Sequence, residues 1–143
     1  MATELDHTFT TEKPIDESFT AVTDLERLVP CVEGGTVTEV TGPDSVKAEI
    51  LLTMGAMSMT FVGTVEVAEK DPDAHRALLR VKAKDSEGQG HANADVVFQL
   101  NDGGGDIHTK AQITGKAASM GEGVVIGVLD GLITDFTGKL ADM

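Results

Sequence analysis

ASMGEGVVIGVLDGLITDFTGKLADM, residues 118–143, is the stretch whose reading decides the fold. Only here do apolar residues recur at helical spacing over several turns. Taken at about 100° per residue, Val124, Val125, Val128, Leu129, Leu132, Ile133 and Phe136 share one broad apolar arc. Upstream, from Gly34 to Lys116, polar and apolar residues mostly alternate, which is the period of a half-buried strand. A single long helix that follows antiparallel strands has only their sheet to bury itself against. The arc is therefore expected to cover the concave face of a curved sheet.

Working outward, Val46, Ala48, Ile50, Leu52 and Met54 share one face of a strand, with Lys47 and Glu49 opposite. Met57, Met59, Phe61, Gly63, Val65 and Val67 form the next. Ala77, Leu79, Val81 and Ala83 follow, then Ala92, Ala94, Val96, Phe98 and Leu100, then Ile107, Thr109, Ala111 and Ile113. Turn signals separate them at Gly42-Pro43-Asp44, Asp71-Pro72-Asp73, the glycines 88 and 90, and Asp102–Gly105. Thr36–Thr41 opens this meander. Residues 3–11 form an earlier strand with Leu5, His7 and Phe9 on one face. Pro14 then starts a short helix carrying Ile15, Phe19 and Val22, and a second helical piece spans Leu25–Val29 before Pro30. Seven antiparallel strands, two short helices after the first strand and one long terminal helix make an α+β domain spanning 1–143.

Composition bounds the function. The 143 residues carry 24 acidic and 11 basic side chains, a formal net charge of −13. That excludes nucleic acid as an electrostatic partner, because such binding displaces counterions with basic clusters. It also opposes electrostatic attraction to anionic lipid. The single cysteine, Cys31, forms no internal disulfide and has no nucleophile motif around it. The N-terminus carries no apolar leader core, and no apolar run reaches spanning length. His7, His75, His91 and His108 are scattered and form no metal-binding pair at helical spacing.

Phe19 and Pro30-Cys31 through Gly34, the Met54–Ser58 hairpin with Phe61 and Gly63, the strand entry Gly88-Gln89-Gly90-His91-Ala92 and the helix entry Gly115–Gly121 form a set. Together they resemble the G-subunit family of carbon monoxide dehydrogenase. That family is part of the START-like (SRPBCC) helix-grip superfamily, which includes the birch pollen allergen. The resemblance covers nearly the whole chain. It departs at Phe19, where a Trp is common, and at Pro30-Cys31. It implies a helix-grip fold with a cavity under the long helix. It further implies a non-catalytic cytoplasmic accessory protein that associates with a molybdenum hydroxylase of the carbon monoxide dehydrogenase type and recruits it to the inner face of the cytoplasmic membrane.

The residues support a cavity independently. Inward positions carry many small side chains (Ala48, Gly63, Ala77, Ala92, Ala94, Ala111, Gly115), and the chain has no Trp or Tyr to fill the middle. The expected lining comprises Phe9, Phe19, Leu52, Met54, Met57, Met59, Phe61, Leu79, Ala94, Val96, Phe98, Ile113 and Met120, closed by the helical arc from Val124 to Phe136. No metal or covalent cofactor is expected. A long apolar ligand is, with an isoprenoid quinone tested first and a lipid second, because an oxidising enzyme without a membrane domain must pass electrons to a membrane pool.

Two features stay open. The Leu51–Phe61 tip is apolar and Met-rich, and suits burial over the cavity, a cavity mouth or a membrane contact. Gly123, Gly127 and Gly131 form a small-residue row that fits contact with a partner or second copy, a loosened lid, or neutral drift. A docking adaptor with a vestigial pocket and a START-like cyclase or lyase are the alternative functions.

Overall fold

The period-2 pattern becomes a pleat. The computed structural model describes residues 2–54 and 57–142. β1 (Ala2–Thr10) leads to α1 (Ile15–Thr23), α2 (Leu25–Leu28) and a 3-10 turn (Val29–Cys31). The meander then runs β2 (Gly35–Gly42), β3 (Ser45–Met54), β4 (Met57–Asp71), β5 (Arg76–Asp85), β6 (Gly90–Asn101) and β7 (Gly104–Gly115). A second 3-10 turn (Ala118–Met120) precedes α3 (Glu122–Ala141). The strands form one seven-stranded antiparallel sheet in the order β1-β7-β6-β5-β4-β3-β2. The first strand therefore pairs with the last, and α1 and α2 carry the chain from the β1 edge to the β2 edge.

Pro14 caps α1 with φ −57°, and Asp16 and Glu17 follow in the first turn, where acidic side chains complement the helix dipole. β4 is the longest strand among the described residues. A register shift falls between Val67 and Glu69, and a bulge of this kind coils a strand. Nearby, β5 crowds Gly63 so closely that a Cβ there would collide with the Lys82 carbonyl oxygen. Only glycine fits, and the close approach lets the sheet curl around α3.

α3 starts later than the sequence pattern suggests. Gly121 has φ 101°, in the left-handed region that breaks an α-helix. Residues 118–120 are a separate 3-10 turn as a result.

The core falls into two parts. One cluster lies under α1 and α2 and joins Phe9, Phe19, Val22, Leu25, Leu28, Val46, Ala48, Ala77 and Phe98 to Phe136 and Leu140 at the end of α3. The other joins Met59, Phe61, Ile113 and Ala117 to Val125 at the start of α3. With α3 spanning both clusters, its middle crosses the gap between them.

Candidate functional site

That gap is a cavity of about 210 Å³. Its sheet wall includes Ile50 and Leu52 of β3, Phe61 and Val65 of β4, and Leu79, Val81 and Ala83 of β5. Ala92, Ala94, Val96 and Phe98 of β6 and Ile107, Thr109, Ala111 and Ile113 of β7 complete that wall. Leu28, Val29 and Val32 close the end below α2, and Leu129, Leu132, Ile133 and Phe136 of α3 form the roof. Phe136 meets Phe98 edge-on with ring centroids 6.4 Å apart, which braces the roof against the sheet. Every lining residue is apolar except Asn93 and Thr109. Asn93 is exposed and alternates with the inward Ala92 and Ala94, so Thr109 brings the one inward polar side chain. For scale, an apolar cavity of roughly 150 Å³ admits a benzene-sized guest.

Of the residues expected from sequence, Leu52, Phe61, Leu79, Ala94, Val96, Phe98, Ile113, Leu129, Leu132, Ile133 and Phe136 line the cavity. Others are displaced from it for a common reason: both ends of the groove beneath α3 are stoppered. Phe9 and Phe19 fill the end below α1. Met59, Met120, Val125 and Val128 fill the opposite end. Val124 is 41% exposed, because it lies on the order of 130° around the helix from the centre of the inward face. The side chains of Met54 and Met57 and residues 55–56 at the hairpin tip lie outside the described residues. Of the small residues, Ala48 and Ala77 pack into the first cluster, and Gly115, at φ 86°, is exposed at the last position of β7. The space comes from Ala83, Ala92, Ala94 and Ala111.

Leu28, Val29 and Val32 escape a reading of the sequence because the strand pattern gives no clue to what the short helices cover. Alternation does place Val65, Val81, Ala83, Ala92, Ile107, Thr109 and Ala111 inward; only their position between the two clusters is hidden.

Two buried polar atoms on this concave face lack a hydrogen-bond partner, Thr109 Oγ1 and His7 Nδ1. Thr109 is 5% exposed. His7, inward on β1, is tied to α3 through Nε2, 2.8 Å from Asp130 Oδ1. A third unpartnered atom, Ser18 Oγ, lies in α1. His75 and His108 make polar contacts away from the cavity. His75 Nε2 sits 2.7 Å from Asp16 Oδ1. His108 contacts Asp6 and Glu4 on the outer face, and these carboxylates, Asp6 first, hold its imidazole above the ordinary range. Burial raises the Cys31 thiol pKa against the pull of Lys139, Arg27 and Lys13, so no thiolate nucleophile is prepared. Among the described residues no cluster of His, Cys, Asp or Glu is arranged to hold a metal.

A larger depression of about 520 Å³ lies on the polar outer face of β1, β7, β6 and β5. Its charges largely pair with one another. Arg80 binds Asp95 at 3.1 Å, and Lys110 lies 3.7 Å from Glu4. The apolar cavity is the smaller of the two, but it is the one walled by the core, and we take it as the candidate site.

Residues 8–142 match the sequence profile of CoxG, the G subunit of carbon monoxide dehydrogenase. The chain belongs to the CoxG family. Solved structures agree with the fold of this CoxG-family chain. A conserved protein from Geobacillus kaustophilus superposes with a TM-score of 0.80 at 24% identity, covering 99% of this chain and 93% of that one. A protein from Thermus thermophilus gives 0.67 at 12% identity, covering 99% and 95%. The Zhui aromatase/cyclase from a Streptomyces species gives 0.63 at 13% identity, covering 98% and 94%. None of the curated proteins matches the chain significantly. Membership of the CoxG family and the START-like helix-grip fold are thus established. No helix among the described residues is long and apolar enough to cross a membrane.

Proposed function

We propose that this CoxG-family chain is a non-catalytic accessory protein of a carbon monoxide dehydrogenase-type molybdenum hydroxylase. It takes an apolar ligand between sheet and α3, with an isoprenoid quinone the first candidate and a lipid the second. In doing so it links the enzyme to the inner face of the cytoplasmic membrane. The observation that carries the reading is the cavity of about 210 Å³, walled by the core and apolar apart from Thr109 and Asn93. An apolar space of this kind gains little from water and accepts an apolar guest.

Size refines the proposal. Sites for drug-sized ligands usually enclose about 300–1,000 Å³. A space of about 210 Å³ takes a ring or a short length of chain, not a whole polyisoprenoid. The ring would enter while the tail lies outside, or α3 would lift. The roof residues Leu129, Leu132 and Ile133 are only half-buried, so the middle of α3 is its least anchored part.

The test is an organic extract of the full chain purified gently from membranes, analysed by mass spectrometry, beside uptake of added quinone. Ala94→Trp fills the space in the control. Recovery or uptake of quinone or lipid by the wild type, lost in Ala94→Trp, supports the reading. An empty wild type that takes up neither refutes it. The docking-adaptor reading draws on the outer face of α3. There Val124 is exposed, and a Cβ added at Gly123, Gly127 or Gly131 would have nothing within 4 Å. Capture of the dehydrogenase by Ala94→Trp as efficiently as by the wild type would favour it.

A further inference from the structure

Burying a hydroxyl or an imidazole nitrogen without a partner is costly, so two such atoms on one concave face call for an explanation. Thr109 Oγ1 and His7 Nδ1 are both buried and both unpartnered. They lie on paired strands and in adjoining rows of the sheet, because Thr109 stands opposite Leu5 and His7 opposite Ile107. Diagonal neighbours of this kind have Cβ atoms about 7 Å apart, a span that one ligand atom bridges with two hydrogen bonds.

The direction of those bonds follows from Asp130. A carboxylate only accepts, so the proton on His7 sits at Nε2, 2.8 Å from Asp130 Oδ1. In the neutral ring Nδ1 is then an acceptor. The Thr109 hydroxyl can donate. A ligand hydroxyl answers both at once, since its hydrogen goes to Nδ1 and its oxygen accepts from Thr109. A carbonyl or ether oxygen satisfies Thr109 alone and leaves Nδ1 unpaired.

We propose that Thr109 in the cavity wall and His7, set one row beyond that wall on β1 and oriented by Asp130, form a polar seat at the cavity's β1 margin, and that they select a ring bearing a hydroxyl over the same ring bearing only an acceptor oxygen. The inference rests on the reading of the cavity as a ligand site. Applied to a redox pair of ring ligands, it favours the reduced, hydroxyl-bearing member. Asp130 acts as a positioning residue: it touches the imidazole at Nε2 and leaves Nδ1 as the acceptor.

The test uses three fluorescent probes of ring size, 1-naphthol, 1-methoxynaphthalene and naphthalene. They are titrated into the full chain at about pH 8. Wild type is expected to bind naphthalene measurably and 1-naphthol about tenfold tighter than 1-methoxynaphthalene, the worth of one hydrogen bond to an otherwise unsatisfied group. His7→Phe is expected to erase the naphthol advantage over the methoxy probe. Thr109→Val, which keeps the shape, is expected to weaken both oxygenated probes relative to naphthalene. Thr109→Val is the safeguard should His7→Phe fail to fold once its tie to α3 is gone. If naphthalene itself does not bind, the ligand-site reading falls and the seat falls with it. If naphthalene binds but naphthol gains nothing over the methoxy probe, or keeps that gain in His7→Phe, or if Thr109→Val leaves both oxygenated probes unweakened relative to naphthalene, the seat is overturned while the ligand site stands.

Discussion

Thr109 carries the strongest residue-scale consequence. Its hydroxyl is buried without a partner, so in the unliganded protein it lowers stability. Valine has the same shape and no hydroxyl. Thr109→Val should therefore raise the unfolding free energy by ~1–2 kcal/mol, read as a higher urea midpoint with an unchanged slope. Ser18→Ala is the matched control. Ser18 Oγ is also buried and unpartnered, but it lies in α1 and not in the cavity wall. It should stabilise to a similar degree and leave probe binding untouched. A destabilised Thr109→Val would mean that the hydroxyl already has a partner. In the sequence, alternation with Ile107, Ala111 and Ile113 places Thr109 inward, yet nothing local distinguishes it from a valine. His7 shares the face of Leu5 and Phe9, but its partner Asp130 lies 123 residues away, and no spacing rule connects them.

At the scale of elements, strands are legible in the sequence and coverage is not. Val46, Ala48, Ile50 and Leu52 face inward in β3 as their period requires, because a pleat fixes side-chain direction without help from the rest of the molecule. Whether an inward alanine faces space or another side chain depends on which helix lies over it. Ala77 is capped by the α1–α2 cluster and Ala94 is not, although both look alike along their strands. Helix α3 itself makes a prediction. Gly123, Gly127 and Gly131 are exposed and no atom of this chain crowds them. Alanine fits at each, and the triple variant should stabilise the protein by about 2–3 kcal/mol, given ~1 kcal/mol per exposed helical glycine. Thermal melts measure this, and ligand exchange read alongside tells a loosened lid from drift: slower exchange in the stiffer helix identifies the lid. The β1–β7 edge makes another. His108 is held above the ordinary histidine range by Asp6 and Glu4. A raised folded-state value means the contribution is complete below the unfolded value of about 6.5 and is lost as pH rises through the folded one. The urea midpoint of wild type should exceed that of His108→Gln at about pH 5.5, and the gap should close toward about pH 8.5. A gap that widens with pH would contradict the assignment.

For the whole molecule, charge and cavity pull in different directions. An apolar ligand drawn from a bilayer requires contact with lipid, yet the chain carries a formal net charge of −13. Anionic leaflets attract basic segments by ~1 kcal/mol per Lys or Arg near the surface, and an acidic protein meets the reverse. On the outer face Arg80 is paired with Asp95 and Lys110 lies near Glu4, so neither changes this balance. Contact with a membrane must then come from apolar side chains or from the partner enzyme. Salt decides between an apolar and an electrostatic approach, since the screening length falls from about 10 Å at 0.1 M to about 3 Å at 1 M. Co-sedimentation of the isolated chain should be weaker with vesicles containing anionic lipid than with neutral phosphatidylcholine at low salt. Added salt should raise binding to the anionic vesicles until the two agree, because it screens a repulsion. Binding to anionic vesicles that falls as salt is added would instead mean that Arg80, Lys82, Lys84 and Lys110 act together as a basic docking face, and the apolar route would be wrong.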